Sequence, residues 1–375
     1  MSELLINSLE ITGYRTFRHL EIPKLGRVNL IVGKNNVGKT ALLEAIELYA
    51  VKVDSKIVRS ILSARDELSE TNGHSKNNAL HDATKDIKNL FHDRPNLQQK
   101  IPPFEIKVNS DSTLTLSVGI RWSRFYPTRN GTVEYLREIP VDNLDELPNL
   151  PDAKPLIEVS LNRQPIFTYQ LDTIYHPPAI DRKLSETIVV QLIPSAGLSR
   201  KEVSDLWDQT ALTDAEDLVI ESLKMLAPKV HRLNFLGRDK DESLRTPFVK
   251  LTDLAEPVQL RSMGEGMNRL LGLSMALTAG RMGLLLVDEV ETGFHYSILP
   301  QVWKLIFETA AKLNVQVFAT THSWECIEAF QRANAFQNEA EGMLIRLEAK
   351  PDRTKVTSFD KERLAIVTRE QIEVR

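Results

Sequence analysis

Cysteine is nearly absent from this sequence, and long apolar runs are missing. The 375 residues contain one cysteine, Cys326, which excludes an internal disulfide and is typical of a reducing compartment. No apolar run approaches the roughly 20 residues that a membrane-spanning helix needs. The opening MSELLINSLEITGYRTF carries an acidic residue and no long apolar core, so we expect no signal peptide. These absences favour a cytoplasmic globular protein with no membrane partner.

A strong excess of charge is also lacking. The formal net charge is -4, with 42% apolar and 26% charged residues, which are ordinary values for a globular chain. Any contact with nucleic acid must therefore come from a local basic patch rather than from the field of the whole molecule. The length allows two ordinary domains, or one large domain with an insertion.

Hydrophobic periodicity changes several times along the first half of the chain. β-type segments end in the apolar run Val28–Val32, and helical spacing follows a glycine-rich loop. Residues Ser55–Asn96 are polar and predict a helical insertion with a mobile tip. Short β-type runs from Phe104 to Ile174 then predict an antiparallel meander, with a surface loop at Asn143–Pro155.

The pattern of the second half predicts a helical lobe followed by alternating strands and helices. Helical patterns dominate after Pro177, and from about Leu284 apolar strands alternate with helices, as in βαβ units. We therefore divide the chain into three parts. Residues 1–180 hold the glycine-rich loop, the helical insertion and the antiparallel β region, residues 181–280 form the helical lobe, and residues 281–375 complete the α/β core.

The segment Gly33–Thr40, GKNNVGKT, matches the Walker A pattern G-x-x-x-x-G-K-[ST] between a strand and a helix. In this loop, backbone N–H groups cradle phosphate oxygens, Lys39 reaches the β- and γ-phosphates, and the Thr40 hydroxyl ligates magnesium. The pattern predicts binding of ATP with Mg²⁺. The predicted nucleotide ligands in this loop are Gly33, Asn35, Asn36, Gly38, Lys39, Thr40 and Ala41.

Two adjacent carboxylates end the apolar strand LLLVDE at Leu284–Glu289, a Walker B pattern. Asp288 is predicted to hold Mg²⁺, and Glu289, which points elsewhere, to act as general base for the attacking water. A strand ending in a solvated acidic turn is the plainer interpretation of this segment alone. Its pairing with the upstream loop favours the metal-binding one.

The glycine-rich turn at Arg261–Leu271, RSMGEGMNRLL, opens a helix shortly before that strand. Here the chain resembles the ABC ATPases, whose signature S-x-G-x-x is matched by Ser262, Gly264, Glu265 and Gly266. The resemblance implies that Ser262, Gly264 and Gly266 bind the γ-phosphate held by the opposite protomer. By itself the segment is equally compatible with a helix N-cap followed by flexible glycines.

Three further assignments follow from the same resemblance. His322, in VFATTHS, occupies the place of the switch histidine that contacts the γ-phosphate. Gln191 is the candidate for the Q-loop glutamine. The opening Gly13–Phe17 resembles that of DNA-repair ABC proteins, where aromatic and basic residues lie near the nucleotide base, although Tyr14 and Arg15 are equally compatible with strand and turn roles.

The opening strand, the GKNNVGKT loop, the S-x-G-E-G signature and VDEVETGFH look most like the OLD-family ATPases of the Rec/SMC-like group. The similarity covers Leu4–Val51 and about Gln191–Leu347. It implies an α/β fold: an ABC-type P-loop ATPase head with a mixed β-sheet core, an antiparallel β subdomain and a helical lobe. It also implies MgATP hydrolysis in a homodimer or higher homo-oligomer, with Lys39, Glu289 and His322 as catalytic residues.

Two departures from related families shape the expected partners. Roughly 220 residues separate Walker A from the signature, too few for the long coiled coils of SMC proteins. OLD proteins usually carry a C-terminal Toprim nuclease domain, and none fits here. We therefore expect a separate effector, such as a Toprim-like nuclease, in DNA repair or anti-phage defence.

DNA is a further possible partner, through Arg121–Arg129 and Lys229–Lys240, where basic residues accompany aromatic ones. An exposed β-hairpin with a solvated charged face is the favoured interpretation of the first cluster. Three other functions stay open: an ATP-dependent scaffold that recruits a protein without acting on DNA, a RecF-like replication-repair protein, and, least favoured, a transporter subunit.

Overall fold

Two β-sheets organise the chain. The computed structural model describes residues 3–69, 83–130, 133–174, 187–237, 245–337 and 340–370, and the structural statements below concern these residues. The larger sheet has thirteen strands in these ranges and the smaller has three. The strands are β1 (Ser8–Tyr14), β2 (Phe17–Ile22), β3 (Val28–Val32), β4 (Phe104–Asn109), β5 (Thr113–Asn130), β6 (Val133–Pro140), β7 (Lys154–Leu161), β8 (Gln164–Gln170), β9 (Val190–Ile193), β10 (Val230–Gly237), β11 (Arg245–Leu251), β12 (Val258–Gln259), β13 (Leu284–Val287), β14 (Gln316–Thr320), β15 (Gly342–Ala349) and β16 (Thr354–Phe359).

Helices cover the sheet, and several begin at a side-chain cap. The helices are α1 (Lys39–Ala50), α2 (Ser55–Ser63), α3 (Arg200–Thr210), α4 (Asp214–Leu223), α5 (Glu265–Ala279), α6 (Leu299–Leu313), α7 (Trp324–Ala335) and α8 (Lys361–Arg369). Ser199 and Glu202 form a capping box at α3, and Ser323 caps α7. Residues 83–87 are helical as well, which together with α2 agrees with the predicted insertion, while most of its expected tip, residues 70–82, lies outside the described ranges.

The centre of the larger sheet is parallel and buried on both faces. Strands β15, β3, β14, β13 and β9 lie side by side with parallel pairing. Along β3, Ile31 packs into the core that contains α1, whereas Leu30 and Val32 pack into the core that contains α6 and α7. Because successive side chains of a strand point to opposite faces, a strand between two cores is mostly apolar on both faces. In VNLIV the single polar residue, Asn29, is fully buried and its amide donates to the main-chain oxygens of Gly26 and Val317.

The antiparallel region predicted between Phe104 and Ile174 is present, but it is not a simple meander. Strand β5 pairs with β4 at its start, with β7 through residues 116–123 and with β6 through residues 123–130. Its 18 residues give it room for several partners. Strand β4 pairs in turn with β1, so this region continues the main sheet. The segment predicted as a surface loop contains a short 3-10 helix, Leu144–Asn149, that buries Leu147.

The lobe predicted to be helical also contains the smaller sheet, β10–β11–β12. In β10, Val230, Leu233 and Phe235 are buried, while charged and polar residues between them are exposed. This near-alternation is typical of a half-buried strand, but the basic residues that interrupt it led the sequence interpretation toward a charged surface instead. The helical assignment was therefore incomplete at residues 230–259.

Within the described ranges, the helices are all too short or too polar to cross a bilayer.

Candidate active site

The carboxyl ends of three neighbouring parallel strands bring the sequence motifs together. The loop Gly33–Thr40 follows β3, Asp288 and Glu289 follow β13, and His322 follows β14, which lies between the other two strands. Ligands of α/β proteins bind at this edge of the sheet. The fold therefore unites residues that are almost 290 positions apart in sequence.

Two glycines give the loop its shape. Gly33 and Gly38 have φ angles of 151° and 104°, which L side chains rarely adopt. A Cβ at Gly33 would lie 2.5 Å from the carbonyl oxygen of Leu347, and one at Gly38 would lie 2.7 Å from the buried ring of Phe17. Gly38 directly precedes α1, so the loop leads straight into the N-terminus of a 12-residue helix, a site suited to phosphate.

Lys39 lies inside this loop and is only 6% exposed. Its Nζ donates to the main-chain oxygens of Gly33 at 2.7 Å and Lys34 at 3.1 Å, and lies 3.4 Å from Nδ1 of His322. Burial lowers the pKa of Lys39, against the opposing effect of three carboxylates on the loop after β13. The ammonium group thus lies where an anion entering the loop would meet it.

Oxygen donors from two motifs meet beside Lys39. The Thr40 hydroxyl donates to Oδ2 of Asp288 at 3.0 Å. A hydroxyl and a carboxylate are hard oxygen ligands, and Mg²⁺ typically takes one or two protein carboxylates together with substrate phosphates, so this donor pair fits Mg²⁺. In the described chain, no cluster of three or more His, Cys, Asp or Glu side chains could hold a metal ion by itself. A metal here would therefore share its coordination with a phosphate ligand.

Glu289 and His322 face each other across the loop ends. Oε1 of Glu289 lies 3.4 Å from Nε2 of His322, and each side chain is 39% exposed. Glu289 has a φ of 50°, a left-handed conformation that is uncommon for a residue with a side chain. The backbone N–H of His322 donates to Oε1 of Glu291 at 2.9 Å. The two loops are thus linked, with the predicted general base and switch histidine side by side.

A cavity of about 750 Å³ extends from these groups to the N-terminal segment at Arg15 and Thr16. One end is lined by Asn35, Asn36, Gly38, Lys39, Thr40, Ala41, Asp288, Glu289 and His322. The other end is lined by Arg15, Thr16, Arg65, Glu67, Asn89, Phe91, His92, Asp93 and Arg94. A nucleoside triphosphate with its phosphates on the glycine-rich loop would extend toward this second end.

Tyr14 and Arg15 differ in their relation to the second end of the cavity. Tyr14 is fully buried, and its hydroxyl donates to Glu44, so it packs inside the core instead of lining the cavity. Arg15 lines the cavity and pairs with Glu44 at 2.7 Å and Glu67 at 2.9 Å. Its buried Nη2 has no hydrogen-bond partner within the described chain. Apart from Thr16, which lies in the Gly13–Phe17 opening, the other residues of this end belong to no motif, so the sequence predicted no role for them.

Gln191 lies away from the cavity. It occupies the middle of β9, opposite Leu285, and does not line the cavity described above. The end of β9 does reach the site, because Ile193 accepts a hydrogen bond from the backbone N–H of Asp288 at 2.8 Å. The Q-loop role of Gln191 stays a prediction.

The signature segment also lies outside this cavity. Ser262 is exposed and donates to the main-chain oxygen of Gln259. Gly264, with a φ of 105°, leads into α5, and Gly266 and His295 line a separate cavity near that helix. A single chain therefore does not bring the signature to Lys39.

The basic cluster proposed for DNA is partly neutralised by ion pairs. Arg121 lies 2.7 Å from Glu138, and Arg124 lies 2.8 Å from Asp152. Both arginines are only about one-third exposed. The second basic cluster runs into residues 238–240, which lie outside the described ranges. These pairs weaken the case for the first cluster as a phosphate-binding surface.

Two family models match the chain on either side of its β-rich middle. Residues 5–101 match "AAA ATPase domain", and residues 208–327 match "AAA domain, putative AbiEii toxin, Type IV TA system". An "ATP/GTP phosphatase" of Helicobacter pylori is 24% identical over 352 residues, which span 86% of this chain and 87% of that protein. The "DNA replication and repair protein RecF" of Bacillus subtilis is 46% identical over 46 residues, 12% of either chain.

Solved SMC heads have a similar fold. An SMC head bound to the C-winged helix domain of ScpA superposes with a TM-score of 0.52 at 13% identity, covering 95% of this chain and 97% of that one. A head with an extended coiled coil, bound to the C-terminal domain of ScpA from Pyrococcus furiosus, gives 0.51 at 11% identity, covering 98% and 99%. The predicted fold class is confirmed. The chain is therefore an ATPase that matches two AAA domain models and has the α/β fold of the SMC heads.

Proposed function

We propose that this ATPase hydrolyses MgATP as a head-to-tail homodimer or higher homo-oligomer, in which each nucleotide lies between two protomers. The observation that carries the proposal is the separation of the signature from the cavity. Ser262 and Gly264 are exposed, and a Cβ at Gly264 would meet no atom within 4 Å. The open N-terminus of α5 can therefore receive a phosphate that another protomer presents.

The arrangement assigns a task to each residue of the loop ends. The phosphates would replace the main-chain oxygens around Lys39 as partners of its ammonium group. Thr40 and Asp288 would hold Mg²⁺, which supplies charge neutralisation at the β- and γ-phosphate oxygens. Glu289 would accept the proton of the attacking water. His322, 3.4 Å from Glu289, would donate a hydrogen bond to the γ-phosphate.

Light scattering of the Glu289→Gln variant tests the dimer. Glutamine has nearly the volume of Glu289 but cannot act as a base, so this variant should bind MgATP without hydrolysing it. It should therefore elute as a larger assembly only when the nucleotide is present. A second variant, Glu289→Gln with Ser262→Arg, adds a bulky exposed side chain at the signature and should bind the nucleotide but not assemble. An unchanged mass with and without MgATP in the first variant would contradict the shared site.

For the wider role, we propose a cytoplasmic, OLD-like ATPase that acts in DNA repair or anti-phage defence with a separate effector, such as a Toprim-like nuclease. The partial RecF matches and the toxin–antitoxin description of one family model support a role of this kind. The SMC heads bound to ScpA are examples of this fold with a protein partner. A pull-down with the Glu289→Gln variant, which binds MgATP without turnover, tests the effector. A nuclease should be retained only when MgATP is present.

The ion pairs of Arg121 and Arg124 favour a second candidate, an ATP-dependent switch that recruits a protein without acting on DNA. ATP turnover with and without short duplex DNA separates the two. Turnover that rises with DNA, and loses that rise when Arg121, Arg124 and Arg129 are reversed to glutamate, supports the DNA-linked role. A rate of ATP hydrolysis that does not change when DNA is added supports the switch.

A further inference from the structure

Thr320, the last residue of β14, touches three consecutive residues of the neighbouring strand end. Its hydroxyl donates to Oδ1 of Asp288 at 2.6 Å and accepts the backbone N–H of Glu289 at 2.8 Å. Its main-chain oxygen accepts the backbone N–H of Val290 at 3.1 Å. Thr320 is fully buried, so water cannot compete for these bonds.

The hydroxyl of Thr320 has a fixed direction of donation. A backbone N–H only donates and an ionised carboxylate only accepts, so the single hydroxyl proton must point to Asp288 and a lone pair must face Glu289. One oxygen of Asp288 is thereby held by Thr320 while the other faces Thr40. The same hydroxyl anchors the backbone of Glu289 at its φ of 50°. A left-handed residue of this kind persists only when its surroundings hold it there.

We propose that Thr320 is a positioning residue that orients both carboxylates, the one assigned to Mg²⁺ and the one assigned to the attacking water. The proposal rests on the roles proposed above for Asp288 and Glu289. Thr320 touches neither nucleotide nor metal in this arrangement and acts through these two side chains.

The test compares Thr320→Val, which keeps the shape and loses the hydroxyl, with Thr320→Ser, which keeps the hydroxyl. Partners in the outer shell of a metal site typically contribute about 10- to 100-fold to metal affinity or activity, so Thr320→Val should lower kcat by about that factor. A fluorescent ATP analogue should bind equally in EDTA, where the glycine-rich loop acts alone. The affinity gained on adding Mg²⁺ should fall about 10-fold or more. Thr320→Ser should restore both quantities.

Three further variants separate positioning from loss of fold and from failure of the roles proposed for Asp288 and Glu289. Thr210→Val removes another buried hydroxyl, which donates to Leu206 far from the site, and should leave both readouts unchanged. Thr320→Ala should behave as Thr320→Val does and serves if the valine variant fails to fold. Asp288→Asn should abolish the Mg²⁺ gain, and if it does not, the proposed role of Asp288 is wrong. If Asp288→Asn abolishes the gain while Thr320→Val or Thr320→Ala keeps it, or if Thr320→Ser is as impaired as they are, the inference about Thr320 is overturned.

Discussion

A buried acid on the P-loop helix should make the stability of this protein depend on pH. Glu47 lies on α1, eight residues after Lys39, and is only 7% exposed. Burial, with a smaller effect from neighbouring Glu44, raises the pKa of Glu47 from the ordinary 4.5 to about 7. The folded state therefore holds this proton more tightly than the unfolded chain does. Its contribution to stability is complete below pH 4.5 and is lost as the pH rises through 7.

The size of the effect follows from the two pKa values. At 1.36 kcal/mol for each pKa unit, the ionisation of Glu47 costs about 3 kcal/mol well above pH 7. Between pH 5 and pH 8 the change is about 2.5 kcal/mol. The substitution Glu47→Gln resembles the protonated acid in shape and cannot ionise. Relative to the wild type, this variant should therefore gain about 2.5 kcal/mol in free energy of unfolding across that interval.

Urea denaturation of both proteins at pH 5, 6, 7 and 8 measures this difference. Glu256→Gln serves as the control, because Glu256 is exposed in the loop before β12 and the same change of charge should be nearly neutral there. A difference between Glu47→Gln and the wild type that stays constant from pH 5 to pH 8 would refute the reasoning. A difference that shrinks as the pH rises would show that the pKa of Glu47 is lowered, not raised, by folding.

Two further predictions concern the same cavity. Gly38→Ala should destabilise the fold by roughly 2–4 kcal/mol and remove nucleotide binding, because its Cβ would collide with the ring of Phe17 at a positive φ; thermal melting and titration with a fluorescent nucleotide check this, and normal binding would contradict it. Arg15→Met should lower the free energy of unfolding, measured by urea denaturation, by up to about 3–5 kcal/mol, since Glu44 then keeps only the partly exposed Arg65 and Glu67 only the exposed Arg94. Adding Glu44→Gln to that variant should recover part of the loss, and a further loss instead would show that the pairing is not the cause.

The motif residues were predictable because each motif is local. A buried strand, a glycine-rich loop and a helix follow one another in sequence at Val28–Ala50, so period and glycine spacing are visible without any tertiary contact. The apolar run ending in Asp288 and Glu289 is similarly visible, because a strand between two cores has no polar side. The antiparallel region was found for the same reason, although the pairing of β5 with several strands was not.

Other parts of the site depend on contacts between distant residues. Glu67 and Arg94 reach the cavity from the segment interpreted only as a helical insertion, since no spacing in that segment marks them as ligands. Thr320 is one of many strand-end threonines until the neighbouring strand places Asp288 beside its hydroxyl. The same dependence explains Arg121, whose positive charge is visible in sequence but whose partner Glu138 arrives with a neighbouring strand.

By itself, the sequence determined the glycine-rich loop with its lysine and threonine, the order of the motifs and the alternation of strands and helices, because these follow from neighbours along the chain. The tertiary structure decided the rest. It placed Gln191 away from the cavity, left Ser262 exposed, and completed the far end of the cavity around Arg15. These outcomes depend on which strands pair and which faces pack, and such long-range contacts leave no periodic pattern in the residues that make them.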